Sequence, residues 1–395
     1  MNIGIDLTSI DPSYCGGLNT YAVGLLQGLI NVAKNCKIQL FVTKHNEYYF
    51  AKYYAEPLVE KVVISSGGLG SLFRVAAFRS VYIGSKSLHK RLVDMAMGDR
   101  AKIMDERSDI ICVPTTILLP YTYQKPTVLS MHDIQQMHYP QFFSKKELIA
   151  RRIRFELSAE CATYLQASSQ FIKEDLLKHF NYLHPGQIVV IPEGVMIEEF
   201  LSPIESDVIV KYALPHNFLF FPAQLWLHKN HITVLKALNH LQREQGLKIP
   251  MVMTGADYTG AKQIFSYIKD QQMDYVYYLG TVSFKDIVAL YQKARFSIIA
   301  SLHESSSLTF LESAAAGCPV IASDIPPNRE MARILKASLF DPLNDRKLAE
   351  LLFTIWKDDT LIRYHVDHNR INVNYYSWDN VARRYLEFIE SKISS

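Results

Sequence analysis

Ser301-Leu-His-Glu-Ser-Ser-Ser-Leu-Thr-Phe-Leu-Glu-Ser-Ala-Ala-Ala-Gly-Cys-Pro-Val-Ile-Ala-Ser323 follows directly on the apolar run Phe296 to Ala300. The order reads as a buried strand, a short polar loop, a helix closed by Gly317, and a second strand at Val320-Ile321-Ala322. The loop therefore opens at the carboxyl edge of a parallel sheet, where ligands of doubly wound folds bind. Glu304 lies before the expected helix start and Glu312 one turn inside it, with unpaired backbone N–H groups between them that suit an anion. A helical step of eight residues rises about 12 Å, and a bend at the loop shortens it. This bracket suits a sugar nucleotide, with hydroxyls at both ends and a diphosphate in the middle. The competing reading is local: Ser301-x-x-Glu304 and Thr309-x-x-Glu312 each match a capping box, in which the glutamate only closes a helix start.

Working outward, strand-like and helix-like runs alternate along the whole chain. In the first half the strands are Ile3 to Leu7, Ile38 to Val42, Lys61 to Ile64, Asp109 to Val113, Thr127 to Met131, Tyr164 to Ala167 and Ile188 to Ile191, with a helix over Leu18 to Ala33. A second series runs through Phe218 to Pro222, Pro250 to Thr254, Val276 to Leu279, Phe296 to Ala300 and Val320 to Ala322. Helices are expected over Asp345 to Lys357 and Asp379 to Lys392. Such alternation defines an α/β protein with parallel sheets covered by helices. A length of 395 residues exceeds one average domain, so two doubly wound domains are expected: 1–200 and 201–375, with a hinge near 193–214. The last helix, 376–395, is expected to cross back onto the first domain.

The bulk properties exclude several classes. With 42 basic and 39 acidic residues the net charge is only +3, which gives no nucleic-acid signature. Five scattered cysteines, none in a Cys-x-x-Cys pair, argue for a reducing compartment and against a disulfide framework or zinc finger. The start Met1-Asn-Ile-Gly-Ile-Asp-Leu7 is not a signal peptide, and no apolar run reaches membrane-spanning length. The expected location is the cytoplasm, with a peripheral place on the inner face of the plasma membrane left open.

Three further stretches sit at strand ends. Gly16-Gly17, between the first strand and first helix, lets backbone approach a ligand and take positive φ, with the positive helix end beyond it. Pro222-Ala-Gln-Leu-Trp-Leu-His-Lys-Asn-His231 places Lys229 just before a helix, where an ammonium reaches a diphosphate as a point charge. Gln224 lies in the same loop, and Trp226 reads as a packing residue. His132-Asp133 ends the Thr127 to Met131 strand. The histidine there can polarise a hydroxyl while its neighbouring carboxylate fixes the tautomer. Leu72 to Val93 mixes apolar residues with Arg74, Arg79, Lys86, Lys90 and Arg91, the pattern of a basic amphipathic helix for an anionic bilayer, although solvated charge gives the same pattern. A second basic cluster holds Lys145, Lys146, Arg151, Arg152 and Arg154. No Asp-x-Asp loop, nucleophile elbow or His-Glu-x-x-His helix occurs, so no metal ligand set is expected.

Taken together, Glu304-x7-Glu312, Gly317-Cys-Pro-Val-Ile-Ala-Ser-Asp324, the Pro222 to His231 stretch, Gly16-Gly17 and His132-Asp133 resemble the family 4 retaining glycosyltransferases of the GT-B fold. The likeness spans nearly the whole chain and is nearest to bacterial mannosyl- and rhamnosyltransferase-like members that build surface polysaccharides. It implies two Rossmann-like domains facing across a cleft, with the nucleotide-sugar donor in the second and the acceptor in the first. By that resemblance Glu312 binds the ribose, Glu304 sits near the donor sugar and its phosphate, and Lys229 neutralises the leaving diphosphate. Gly16 and Gly17 admit that group, His132 contacts the transferring sugar, and Ser306, Ser307, Leu308 and Thr309 offer groups to the phosphates. Transfer is then metal-independent and retaining, with the departing phosphate taking the acceptor's proton, and no cofactor is required. The implied donor is GDP-mannose and the acceptor a glycan, growing on a lipid. Two positions depart from the common pattern. Gln224 stands where many members carry arginine, and Ser305-Ser306-Ser307 follows Glu304 where many have Gly-Phe-Gly. A nucleotide-sugar epimerase on the same fold and a non-catalytic nucleotide-sugar-binding protein are the alternatives.

Overall fold

A computed structural model describes residues 1–13, 16–64, 70–202 and 207–393, and of residues 70–74 only the backbone. Cys15 and the Arg74 side chain thus lie outside the described residues, as do residues 203–206 of the expected hinge stretch. The chain divides into two units: Met1–Gly194 together with Trp378–Ser395, and Val195–Ser377.

The first unit carries a seven-stranded, wholly parallel sheet. Its strands are β1 (Asn2–Asp6), β2 (Lys37–Val42), β3 (Val59–Val63), β4 (Ile110–Val113), β5 (Thr127–Ser130), β6 (Tyr164–Ala167) and β7 (Ile188–Val190), ordered β3-β2-β1-β4-β5-β6-β7. Central strands such as β4 and β5 are buried along their whole length, as strands covered by helices on both faces must be. The second unit repeats the plan with β8 (Leu219–Pro222), β9 (Met251–Thr254), β10 (Val276–Tyr278), β11 (Phe296–Ile299), β12 (Val320–Ser323) and β13 (Ala337–Phe340), ordered β10-β9-β8-β11-β12-β13. Each unit by itself is doubly wound. In each, the strand order reverses beside the first strand, and a crevice opens there at the carboxyl edge.

The boundary at Gly194/Val195 falls six residues before the expected 200/201. Packing explains the shift, because Val195 and Phe200 are buried in the apolar core of the second unit with Val208, Phe218 and Tyr291. The strand Ala337–Phe340 was not among those expected from the sequence; it pairs with β12 in parallel.

The last helix, Trp378–Ile393, closes the first unit by lying along the Gly17–Val32 helix. Two glycines one turn apart make room for it. A Cβ on Gly24 would come within 2.0 Å of the Trp378 ring, and one on Gly28 within 2.4 Å of the Trp378 carbonyl oxygen. Trp378 is 3% exposed and packs edge-on against Tyr21, with ring centres 5.5 Å apart.

The Leu72 to Val93 stretch is not one helix. A Gly70–Ser80 helix passes through a short turn to Gly84, at φ 82°, and a second helix, Lys86–Met97, starts at a Ser85 cap that accepts from the Leu88 N–H. The left-handed glycine and the cap end one helix and begin the next.

Candidate active site

In the second unit the reversal lies between β8 and β11. The loop after β8 carries Lys229 and the loop after β11 carries Glu304, so topology alone sets them on either side of the crevice. Lys229 Nζ donates to Glu304 Oε1 at 2.6 Å, with the side chains 22% and 12% exposed. Backbone contacts clamp the two loops. The Leu302 N–H donates to the His228 carbonyl at 2.8 Å. Asn230, in the left-handed region at φ 60°, donates through Nδ2 to the Ala300 and Pro342 carbonyls at 3.1 and 2.8 Å. Asparagine tolerates that conformation because its short amide finds local partners, and here the amide fixes the residue that follows Lys229. Next to it His231 is buried, stacks on Phe221 with centres 4.1 Å apart, and is lowered to about 3 by burial and the nearby Lys229 charge. It is therefore a neutral packing residue at any working pH.

The two glutamates sit in opposite electrostatic settings. Burial pushes the Glu304 carboxyl up, but the Lys229 ammonium and hydrogen bonds from Lys229 and Ser301 outweigh it and hold the group below its ordinary value. Glu312 has no such cation: burial raises it, only partly offset by the Tyr291 hydroxyl, which donates to Oε2 at 2.9 Å. Neither glutamate caps a helix. The helix runs Leu308–Ala315 from Ser307, with no side-chain cap bond, and Glu312 points instead to Tyr291. Leu308 and Thr309 stand in its first turn, where backbone N–H groups have no intrahelical acceptor.

Other expected donor residues are placed less simply. Ser306 is half-buried, but the buried Ser307 turns its hydroxyl to Asn328 Oδ1 at 2.7 Å, so that hydroxyl ties the loop to the Pro326–Ala332 helix. Gln224 Oε1 accepts from Trp226 Nε1 at 2.9 Å, and the Trp226 ring stacks on Tyr258 with centres 3.8 Å apart. Trp226 thus packs between its own loop and the loop that follows β9.

The first unit holds the remaining residues. Gly16 precedes the Gly17–Val32 helix at φ −163°, and Gly17 is its first residue. Neither takes positive φ, contrary to expectation, because Gly16 is itself extended and Gly17 already helical; what the pair supplies is a helix start without side chains. Upstream, Asp6 accepts two 2.9 Å bonds from Arg100, and buried Asn46 donates to the Leu7 and Ile10 carbonyls, which holds the loop leading to the glycines. His132 follows β5, 12% exposed. Its carboxylate partner is Glu193, whose Oε1 lies 3.1 Å from Nδ1, rather than Asp133. Asp133 accepts from the Gln135 N–H at 3.2 Å and so caps the next turn. Successive side chains leaving a strand point to opposite faces, so one of the two neighbours had to face away. Tyr21 packs edge-on against the His132 ring at 4.7 Å and donates to Gln166 Oε1 at 2.9 Å. The buried thiols of Cys112 and Cys318 are pushed up to about 12 by burial, which leaves them inert.

Of the basic residues, Arg79 and Arg91 are exposed. Lys86 lies between the carboxylates of Glu156 and Glu160, and Lys90 Nζ lies 3.3 Å from Cys161 Sγ. The two carboxylates therefore neutralise Lys86, whereas the neutral thiol leaves the Lys90 charge in place.

Models of two glycosyltransferase families match the chain: Glycosyltransferase Family 4 over residues 15–199 and Glycosyl transferases group 1 over 208–371. The chain belongs to the family 4 glycosyltransferases of the GT-B fold. It is 26% identical over 204 residues to the O-antigen chain mannosyltransferase RfbU of Salmonella typhimurium, a match covering 51% of this chain and 53% of that one. It is 22% identical over 289 residues to O-antigen chain mannosyltransferase B of Escherichia coli, covering 71% and 74%. The chain thus spans about half the length of the first of these relatives. The crystal structure of Anabaena HepE in complex with UDP and glucose superposes with a TM-score of 0.72 at 17% identity, over 99% of each chain.

Proposed function

We propose that this protein moves mannose from GDP-mannose to a growing, lipid-linked surface polysaccharide, with retention at the sugar carbon and with Lys229, not a metal, meeting the charge of the leaving diphosphate. The carrying observation is the Lys229–Glu304 pair at the sheet reversal of the second unit. An ammonium held there with little solvent around it is set for negative charge that develops on the departing phosphate, aided by the N–H groups of the Leu308–Ala315 helix. Glu312 is the ribose ligand in this reading, and His132, oriented by Glu193, contacts a sugar hydroxyl. The names of the O-antigen relatives support mannose and a surface polysaccharide.

A thermal-shift panel of GDP, UDP, dTDP and ADP tests the donor. GDP raises the melting temperature most, because a ligand of the native state alone stabilises it by mass action. The shift also carries a pH signature. Ribose hydroxyls donate to an ionised Glu312, whose carboxyl is raised in the free protein, so the GDP shift shrinks as pH falls through that raised value. The Glu312→Gln variant shows a smaller shift with no such step. A pH-independent shift equal in both proteins removes Glu312 from the ribose.

We also assign the face carrying exposed Phe78, Tyr82, Ile83 and Leu88 beside Arg79 and Arg91 to the anionic inner leaflet. Among the described residues no helix is long and apolar enough to cross a membrane. Each basic side chain at such a surface contributes about 1 kcal/mol. Reversing both arginines to glutamate therefore weakens sedimentation with phosphatidylserine-containing vesicles by about 30-fold or more. Equal sedimentation of parent and variant rejects the assignment.

A further inference from the structure

In the first unit the described residues bring together one trio of metal-ligating type, His138, Asp175 and His179, whose ligand atoms all lie within 4.8 Å of one another. Asp175 and His179 stand one turn apart on the Gln170–His179 helix and share a face. His138 ends the short Gln135–His138 turn that continues the segment from His132. Its Nε2 lies 2.6 Å from Asp175 Oδ2, while His179 Nε2 lies 3.4 Å from Asp175 Oδ1. The second contact is not a hydrogen bond: His179 Nε2 is shut off from solvent and has no hydrogen-bond partner. A buried ring nitrogen left so is costly, and so is the carboxylate of Asp175, 6% exposed and facing two imidazoles. One cation between the three atoms would answer both.

We propose that His138 Nε2, Asp175 and His179 Nε2 form a three-ligand site for a divalent transition ion of the zinc class, remote in role from sugar transfer. Two imidazoles and one carboxylate select such an ion over magnesium or calcium, which prefer all-oxygen shells. Metal–ligand bonds of about 2.0–2.1 Å at tetrahedral angles put neighbouring ligand atoms on the order of 3.3 Å apart. His179 Nε2 already stands 3.4 Å from Asp175 Oδ1, whereas the 2.6 Å contact of His138 Nε2 is with the other oxygen, Oδ2, so three ligand atoms that now lie within 4.8 Å of one another have to adjust to that spacing around an ion. With water in the fourth position, the ion ties the segment that leaves β5 with His132 to the Gln170–His179 helix. The site is independent of the donor chemistry proposed above.

The test uses the full chain without a polyhistidine tag, stripped with EDTA and dialysed. Calorimetric titration with Zn²⁺ is expected to show one equivalent bound with a rise in melting temperature. Co²⁺ is expected to give visible ligand-field absorption of a nitrogen–oxygen site. His138 is the most accessible of the three, so His138→Ala keeps the fold, as circular dichroism will check, and weakens Zn²⁺ about 100-fold or more; losing an outer-sphere partner alone typically costs 10–100-fold. His179→Gln gives the same loss and guards against a folding artefact in the first variant. No stoichiometric uptake by the parent chain, or equal affinity in parent and both variants, overturns the proposal and leaves a hydrogen-bonded cluster only.

Discussion

Replacing Lys229 with methionine will lower the rate of sugar transfer about 10²–10³-fold, the range found when one preorganised donor to developing charge is removed. Glu304→Gln will lower it as well, while leaving the fold in place. The Lys229 variant carries a second signature that an ordinary loss of activity would not. In the parent protein the Glu304 carboxyl is held below its ordinary value of 4.5 because the Lys229 charge overrides burial. A carboxyl lowered in the folded state contributes stability above about 4.5, and that contribution is lost as pH falls through its folded value. Without the ammonium, burial is the leading influence and drives the carboxyl upward. Its contribution then reverses, being present below 4.5 and lost as pH rises through the new, raised value. Melting curves between pH 4 and 7 will show the parent holding or gaining stability with rising pH and Lys229→Met losing it. Transfer at the parent rate by Lys229→Met and Glu304→Ala alike would end the proposed mechanism.

The largest effect on stability is expected at Trp378. Its side chain is buried against the first helix of the first unit, so Trp378→Ala removes a large aromatic group from a site shaped by the absent side chains of Gly24 and Gly194. Truncations of this kind cost about 3–5 kcal/mol. The unfolding transition of the first unit will move to lower temperature and denaturant concentration, while a ligand of the second unit still raises the melting of that unit. Gly28→Leu will be comparably damaging, because its Cβ meets the Trp378 backbone carbonyl, which cannot swing aside. If Trp378→Ala melts with the parent, the Trp378–Ile393 helix does not hold the first unit.

Much of this architecture could be read from residues. Buried parallel strands are short apolar runs, and runs such as Ile38 to Val42 or Tyr164 to Ala167 stand out between helical periods. Ala337–Phe340 did not stand out, since an edge strand with three of four residues half-buried needs no apolar run. The break at Gly84-Ser85 was visible in composition but was outweighed by the basic and apolar pattern on both sides. At the site, the strand-end positions of Lys229, Glu304 and His132 followed from strand order alone. Their partners did not. Glu193 reaches His132 from 61 residues away and Tyr291 reaches Glu312 from 21, and local periodicity says nothing about such approaches. The Asp175-x3-His179 spacing was present in the sequence, but only the fold brings His138 to it.

The discontinuity of the first unit sets an order on its birth. Its sheet is complete once Ile188–Val190 leaves the ribosome, yet the groove along Gly24 and Gly28 stays open until the roughly 180 residues of Val195–Ser377 have been made. At 5–20 residues per second that interval is on the order of ten seconds or longer. During translation the nascent chain therefore carries an apolar furrow that stays uncovered until its own tail arrives.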